Sequence, residues 1–327
     1  MLSSALATGT AQLFLRASQL GYCPADPKNA MAFGDGPLPE HFAVVDAASG
    51  KEVFRGVPKP LPGEHWGRFQ NHAELDFTAL RSPGRFRVAM GGFSSHPFVI
   101  AADAFATLPD ACLEFMRQQR CGNNPWLGTN CHQLDGRTAY GPVPAGTPID
   151  ARGGWHDAGD LLKYLLTSGN ATAQMLLAWQ LTNSASGDRV DALGNPRTNG
   201  IPDILDEARW GLDWMLKLHP APDQLYHQVA DDRDHIGFRL PQNETADYGW
   251  GKGGPRVVYA ADGQAQGLSQ FKSASTGLAN LAGRHAAALA LAWQVWQNDF
   301  HDYSTNEPTM DGTASALLLW SLCNYAR

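Results

Sequence analysis

The hydrophobic pattern of this chain changes period once, near Asp103, and that change limits what it can fold into. Up to about residue 100 the apolar residues fall in short runs: LFLRA, AMAF, HFAVVD, KEVFRGV, AELDFTAL, RFRVAM and HPFVIA. Turn-forming segments such as PADPKN, GDGPLPE, ASGK and SPG separate them. Short β-prone runs bounded by Gly, Pro, Asn and Asp read as strands. Seven of them at this spacing predict a β-sandwich of immunoglobulin type over residues 1–102, with a small β-barrel as the other solution.

Beyond Asp103 the apolar residues recur at helical spacing. FATLPDACLEFMRQQR carries Phe105, Leu108, Leu113 and Met116 on one face. DLLKYLLTSGNATAQMLLAWQL predicts a helix from Asp160 to about Leu181. IPDILDEARWGLDWMLKLH predicts another, with Pro202 in its first turn and Asp203, Asp206 and Glu207 at the positive end of its dipole. SASTGLANLAGRHAAALALAWQVWQ and the C-terminal GTASALLLWSLCNYA complete the set. Residues 103–327 therefore predict a second, mostly helical domain.

The 327 residues and 43% hydrophobic content leave room for two cores. A net charge of −7 without a basic cluster argues against a nucleic acid partner. No apolar run reaches the ~18 residues that a membrane span needs. The opening MLSSALATGTAQLFLRASQLGY lacks the basic start and the ~7–15-residue apolar stretch of a signal peptide.

The five cysteines are an odd number, which argues against a fully paired disulfide framework. Cys121, Cys131 and His132 sit in the loop CGNNPWLGTNCH, and His156 follows in GGWHDAGD. Two thiolates and two imidazoles are a normal tetrahedral zinc set, and a closed site of this kind is structural. The spacing is not that of a zinc finger, and two buried free cysteines with two polar histidines would explain the same residues.

Asp157 and Asp160 flank Ala-Gly in the same motif. In a tight turn both carboxylates can face one side, and Gly153, Gly154 and Gly159 would let a substrate or backbone approach closely. Trp155 offers either a flat face for a ligand or a core side chain. Asp160 can equally serve as N-cap of the apolar helix that follows. A further acid, Glu307, lies in HDYSTNEPTMDGTAS between Asn306 and Pro308. Residue chemistry alone favours a solvated loop position for it.

GGWHDAGDLLKY, then NGIPDILDEARWGLDWMLKL, then YSTNEPTMDGTAS, in this order, closely resemble glycoside hydrolase family 9, the inverting cellulases. The β part, with its RASQLGYCP opening, resembles the immunoglobulin-like module of one branch of that family. The resemblance implies an (α/α)6 toroid of helical hairpins and hydrolysis of β-1,4-glucan or cello-oligosaccharides with inversion. It implies Asp160 as general base, Asp157 as its partner on the same water, and Glu307 as general acid. It also implies Tyr303 beside the cleft, zinc on Cys121, Cys131, His132 and His156, and secretion or a periplasmic location. Calcium also occurs in the family, and Asp203, Asp206 and Glu207 are candidate ligands.

The chain departs from the family in one place. AWQVWQNDF runs straight into HDYSTNEP, so about half of the toroid's helices are missing near 297–301. The gap is on the order of 200 residues, judged from the usual size of large domains. The family's His-and-Arg substrate-binding segment falls within it. The fold expectation is thus a sandwich followed by an incomplete toroid. The alternative function is an inactive remnant that binds carbohydrate or serves as a structural module. A discontinuity in the coding sequence would also explain the gap. Oligomeric state is not legible.

Overall fold

The computed structural model describes residues 12–63, 67–182, 187–234, 237–262 and 278–296. They belong to two compact units, divided between Thr107 and Leu108.

The first unit is the β-sandwich. β1 (Leu13–Arg16), β2 (Asn29–Gly34), β5 (Lys59–Pro60) and β6 (Asn71–Asp76) form one sheet in the order β1-β2-β6-β5. β3 (Phe42–Asp46), β4 (Glu52–Gly56), β7 (Gly84–Met90) and β8 (Phe93–Ser94) form the other, and β9 (Phe98–Ile100) also pairs with β7. All of these pairings are antiparallel. Alternation drives the burial: along β7, Phe86, Val88 and Met90 point inward while Arg85, Arg87 and Ala89 lie nearer solvent. Each of the seven runs legible in the sequence is a strand; the two extra strands are only two residues long.

The second unit carries the helices α1 (Leu108–Gln118), α2 (Leu165–Thr182), α3 (Asp203–Lys217) and α4 (Leu278–Trp296). α1 starts later than Phe105 because Pro109 is best tolerated in a first turn. α2 is buried almost all round, from Leu165 to Ala178. Its small residues admit neighbours on two sides: α3 and α4 both pack on it, with Met215 and the Arg284 carbonyl each close to Gly169. The C-terminal segment GTASALLLWSLCNYA lies outside the described residues.

Short strands brace the helices. β10 (Asn123–Asn124) and β11 (Thr129–Asn130) form a hairpin. β12 (Arg137–Thr138), β13 (Lys163–Tyr164), β14 (Tyr226–Val229) and β15 (Val257–Ala260) form a sheet in the order β12-β15-β14-β13. β13 corrects one expectation. The apolar run from Asp160 does not start as helix, because Lys163 and Tyr164 pair with Val229 and Gln228. Asp160 is therefore five residues ahead of α2 and does not cap it.

His227 on β14 is buried against the Tyr259 ring, and its Nε2 has no partner. Burial pushes its pKa down to about 4 from the ordinary 6.5, with Asp262 opposing. A lowered histidine pKa leaves stability intact above about pH 6.5 and removes it as pH falls toward 4. Relative to His227→Phe, wild type is expected to lose up to roughly 3 kcal/mol across that window. Paired denaturant titrations at pH 7 and pH 4 measure this; an unchanged difference between the two proteins would contradict it.

Candidate active-site turn and metal centre

The turn carrying the acids is built from three directions. α3 holds its start: Trp214 Nε1 donates to the Ala151 carbonyl (3.0 Å), Lys217 Nζ to that of Arg152 (2.8 Å) and Trp210 Nε1 to that of Gly154 (2.9 Å). Gly154 has φ +71°, and a Cβ there would meet the Trp214 ring at 2.5 Å. From α1, an isolated bridge pairs Arg120 with Trp155, and the Cys121 N–H donates to the Gly154 carbonyl (2.8 Å). The His156 N–H donates to the Gln119 carbonyl (2.8 Å). This pairing sets Cys121 and His156 side by side although 35 positions separate them.

The hairpin of β10 and β11 returns Cys131 and His132 to the same place. The Cys131 N–H donates to the Gly122 carbonyl (3.0 Å), and the Gly122 N–H donates to Cys131 Sγ (3.3 Å). His132 adopts a left-handed φ of 51°. The ligand atoms of Cys121, Cys131, His132 and His156 all lie within 4.8 Å of one another. Cys121 Sγ is 3.6 Å from His132 Nδ1, Cys131 Sγ is 4.0 Å from His156 Nε2, and the two ring nitrogens are 3.4 Å apart. Bonds of about 2.3 Å to sulfur and 2.0–2.1 Å to nitrogen give tetrahedron edges of roughly 3.3–3.8 Å, so the donor set fits a four-coordinate metal. Among the described residues it is the one cluster of this kind.

The thiols respond to their crowding. Burial acts to raise Cys121, but the Cys131 thiol, Lys163 and the histidines outweigh it and hold Cys121 well below the ordinary range. The hydrogen bond with Cys121 pushes Cys131 up, and burial adds to this. Burial lowers His156 against the pull of Cys121. Crowding thus pushes Cys121 toward the thiolate and Cys131 toward the thiol, and a cation would displace the proton from Cys131.

Behind the cluster lies a buried ionic network. Arg256 makes a two-pronged contact with Asp135 (2.8 and 2.7 Å) and reaches the Leu161 carbonyl (2.5 Å), Asp234 (3.3 Å) and Cys121 Sγ (3.8 Å). Lys163 Nζ contacts Asp135 (2.9 Å) and donates to the carbonyls of Ala151 (2.6 Å) and Gly153 (3.0 Å). Burial works against the Asp135 carboxylate, but Arg256 and Lys163 more than offset it and its pKa falls.

Asp157 and Asp160 end the turn, both half-buried. The Asp157 N–H donates to the Leu162 carbonyl (2.9 Å), and Asp157 Oδ1 accepts from the Thr167 hydroxyl (2.8 Å) in the first turn of α2. Asp160 Oδ1 accepts from the Leu162 N–H (3.4 Å). Both carboxylates act on Tyr164, whose phenol pKa is raised first by burial and then by Asp157 and Asp160. Asp157 and Gly159 line a groove of 670 Å³ together with Gln119, Trp126 and Phe238.

Several expectations change here. Trp155 is 0% exposed, and its Nε1 donates to Glu207 (2.8 Å). It is a core side chain, not a ligand platform. The glycines yield space to protein rings: Gly154 to Trp214, and Gly159 to Phe238. The calcium set does not fit. Glu207 takes a two-pronged contact from Arg120 (3.2 and 2.7 Å), and Asp203 accepts from the N–H groups of Arg189 (3.0 Å) and Val190 (3.1 Å). Asp206 accepts from Asn199 (2.7 Å). Tyr303 and Glu307 lie outside the described residues. Arg256, Asp135, Lys163 and Phe238 carried no sequence signal; Arg256 and Asp135 alone are 121 positions apart.

Two family models match the chain: "Glycosyl hydrolase family 9" over residues 105–306 and "Cellulase N-terminal ig-like domain" over residues 13–95. A xyloglucan-specific endo-β-1,4-glucanase of Bacteroides ovatus is 32% identical over 232 residues, covering 66% of this chain and 38% of that protein. Endoglucanase C of Cellulomonas fimi is 28% identical over 290 residues, covering 80% of this chain and 25% of that protein. Among solved structures, a Bacteroides ovatus family 9 protein superposes with a TM-score of 0.61 at 25% identity, covering 95% of this chain and 53% of its own. A metagenome-derived family 9 endoglucanase gives 0.60 at 28%, covering 94% and 60%. A Zn-binding triple mutant of another family 9 endoglucanase gives 0.58 at 25%, covering 93% and 61%. A sandwich ahead of this helical fold is thus the architecture of a modular glycoside hydrolase. The family match spans well over half of the sequence, and the chain belongs to glycosyl hydrolase family 9. It spans less than half the length of the two curated relatives described here.

Proposed function

We propose that this chain is a secreted or periplasmic inverting β-1,4-glucan hydrolase whose toroid is incomplete and whose turnover is impaired. The observation that carries the reading is the turn itself: two carboxylates on one short loop, braced by α3 and by the Cys/His cluster, with Asp157 on the wall of an open groove. In this reading Asp160 removes a proton from water while Asp157, oriented by the Thr167 hydroxyl, holds the same water. The water oxygen bonds to the anomeric carbon, the glycosidic C–O bond breaks, and Glu307 gives its proton to the leaving oxygen. Inverting sites keep acid and base about 6.5–9.5 Å apart. Zinc on Cys121, Cys131, His132 and His156 supplies no chemistry to the reaction; it would fix the turn.

The incomplete toroid is supported by α4. One face buries Leu281, His285, Ala288 and Leu291, while the opposite face exposes Ala279, Ala282, Ala286, Ala290 and Trp293. Toroid helices are covered on both flanks, and each uncovered apolar face weakens the barrel at about 25 cal/mol per Å².

Wild type is expected to release reducing ends from cellohexaose at below ~1 per second, the lower end of ordinary enzyme turnover. Asp160→Asn is expected to lower this by about 10²–10⁴-fold. Proton NMR should show the α-anomer first. A β-anomer first, or Asp160→Asn at the wild-type rate, overturns the mechanism. Cellohexaose binding that persists without any hydrolysis by wild type favours the second reading, a carbohydrate-binding remnant. The short junction between α4 and Asn306 is the observation behind that alternative.

A further inference from the structure

We propose that His219 and His285 form a second metal site, apart from the Cys/His cluster, which takes a Zn2+ ion between α3 and α4 with water at its open positions. His219 lies one residue beyond Leu218, the C-cap of α3, and is exposed. His285 lies on the inner face of α4 with Leu281, Ala288 and Leu291 and is only 5% exposed. Both of its ring nitrogens are buried and have no hydrogen-bond partner. Among the described residues no other histidine is left so at both nitrogens. Burying a polar atom without a partner costs folding free energy, so an imidazole with two such atoms needs a reason. A bound ion is one, because neutral imidazole is the commonest metal ligand.

The placement of the two rings matches such an ion. Their centroids are 5.4 Å apart and their planes cross at 68°. His132 and His156, which share the Cys/His cluster, stand at 5.2 Å and 72°. Bonds of about 2.0–2.1 Å to nitrogen put each ring centre about 3.2 Å from an ion, and a tetrahedral angle then sets the two centres roughly 5.2 Å apart. Among the described residues no third His, Cys, Asp or Glu completes a cluster around this pair. Water therefore fills the remaining positions, and the site is weaker than a closed four-ligand one.

The position gives the ion a use. α4 packs chiefly on α2 and touches α3 far less. Its opposite face, with Ala282, Ala286, Ala290 and Trp293, is exposed. An ion on His219 and His285 ties the end of α3 to the middle of α4, a junction that packing alone leaves thin. The two ligands are 66 positions apart, so the unfolded chain cannot offer them together at the same affinity. Binding of this kind stabilises the folded state by mass action.

Titration calorimetry of the full chain with Zn2+ tests this. Wild type is expected to take up one more ion per chain than His219→Ala does, while any ion on the Cys/His cluster is common to both. His219 is exposed, so its replacement removes no core. His285→Phe keeps a ring in the buried position and is expected to lose the same ion. Circular dichroism checks that each variant folds, and His219→Ala decides alone should His285→Phe not fold. At about 100 times the dissociation constant of this site, Zn2+ should raise the melting temperature of the helical unit in wild type by roughly 5 °C more than in His219→Ala. Equal stoichiometry in wild type and His219→Ala, or an equal shift in their melting temperatures, overturns the site.

Discussion

Cys121→Ser is expected to abolish binding of one zinc ion per chain and to lower the melting temperature of the helical unit by roughly 10 °C or more. The size follows from what the cluster joins. Cys121 ends the α1 segment, Cys131 and His132 belong to the β10–β11 hairpin, and His156 is one residue from Asp157. Without a cation these pieces are held by backbone bonds and by the contacts within a crowded cluster of thiols and imidazoles. With it, four ligands close two loops at once, residues 122–130 and 133–155. Metal analysis of the purified chain gives the stoichiometry, and calorimetry before and after chelation gives the stability. A chain that melts at the same temperature with and without metal, or a Cys121→Ser variant that keeps a tight ion, refutes the assignment. The sandwich has its own core, so its melting should not respond to chelator.

The second large effect lies in the layer behind the Cys/His cluster. Asp135→Asn is expected to destabilise the helical unit by about 3–5 kcal/mol, because it leaves Arg256 and Lys163 buried with too little negative charge. Their side chains are 2% and 0% exposed, so water cannot replace the carboxylate. The asymmetry of such networks gives a sharper check. Arg256→Met should cost a similar amount alone, and the double variant should cost less than the sum. Zinc affinity should fall about 10–100-fold in Asp135→Asn, since Arg256 also faces Cys121 Sγ. Urea titrations of the four proteins settle the cycle; strict additivity would mean that the two residues act independently.

Much of the fold could be read from pattern alone, because strands and helices announce their periods locally. Phe86, Val88 and Met90 alternate as a half-buried strand must, and the sequence shows it without a partner strand in view. The four clustered Cys and His side chains could also be named from sequence, although two buried free cysteines and two polar histidines would have explained the same residues. Periodicity failed at Asp160. The apolar run beginning there is compatible with a helix from its first residue, and only the buried partners of Lys163 hold its start extended. Trp155 failed for a related reason: composition shows that a tryptophan is there but not which side of it faces protein.

What the sequence by itself determined is therefore local: seven strand runs, the helical segments, the family and the chemical types gathered in GGWHDAGD. What only the tertiary structure decided is juxtaposition. It puts Arg256 on Asp135, Glu207 under Trp155 and Phe238 over Gly159, pairs at separations of 121, 52 and 79 positions. Backbone propensity acts over a few residues, whereas burial of charge and shape-matching of rings act wherever the chain returns to itself. For that reason the acids could be named from sequence, but the ring that leaves room for no side chain at position 159 could not.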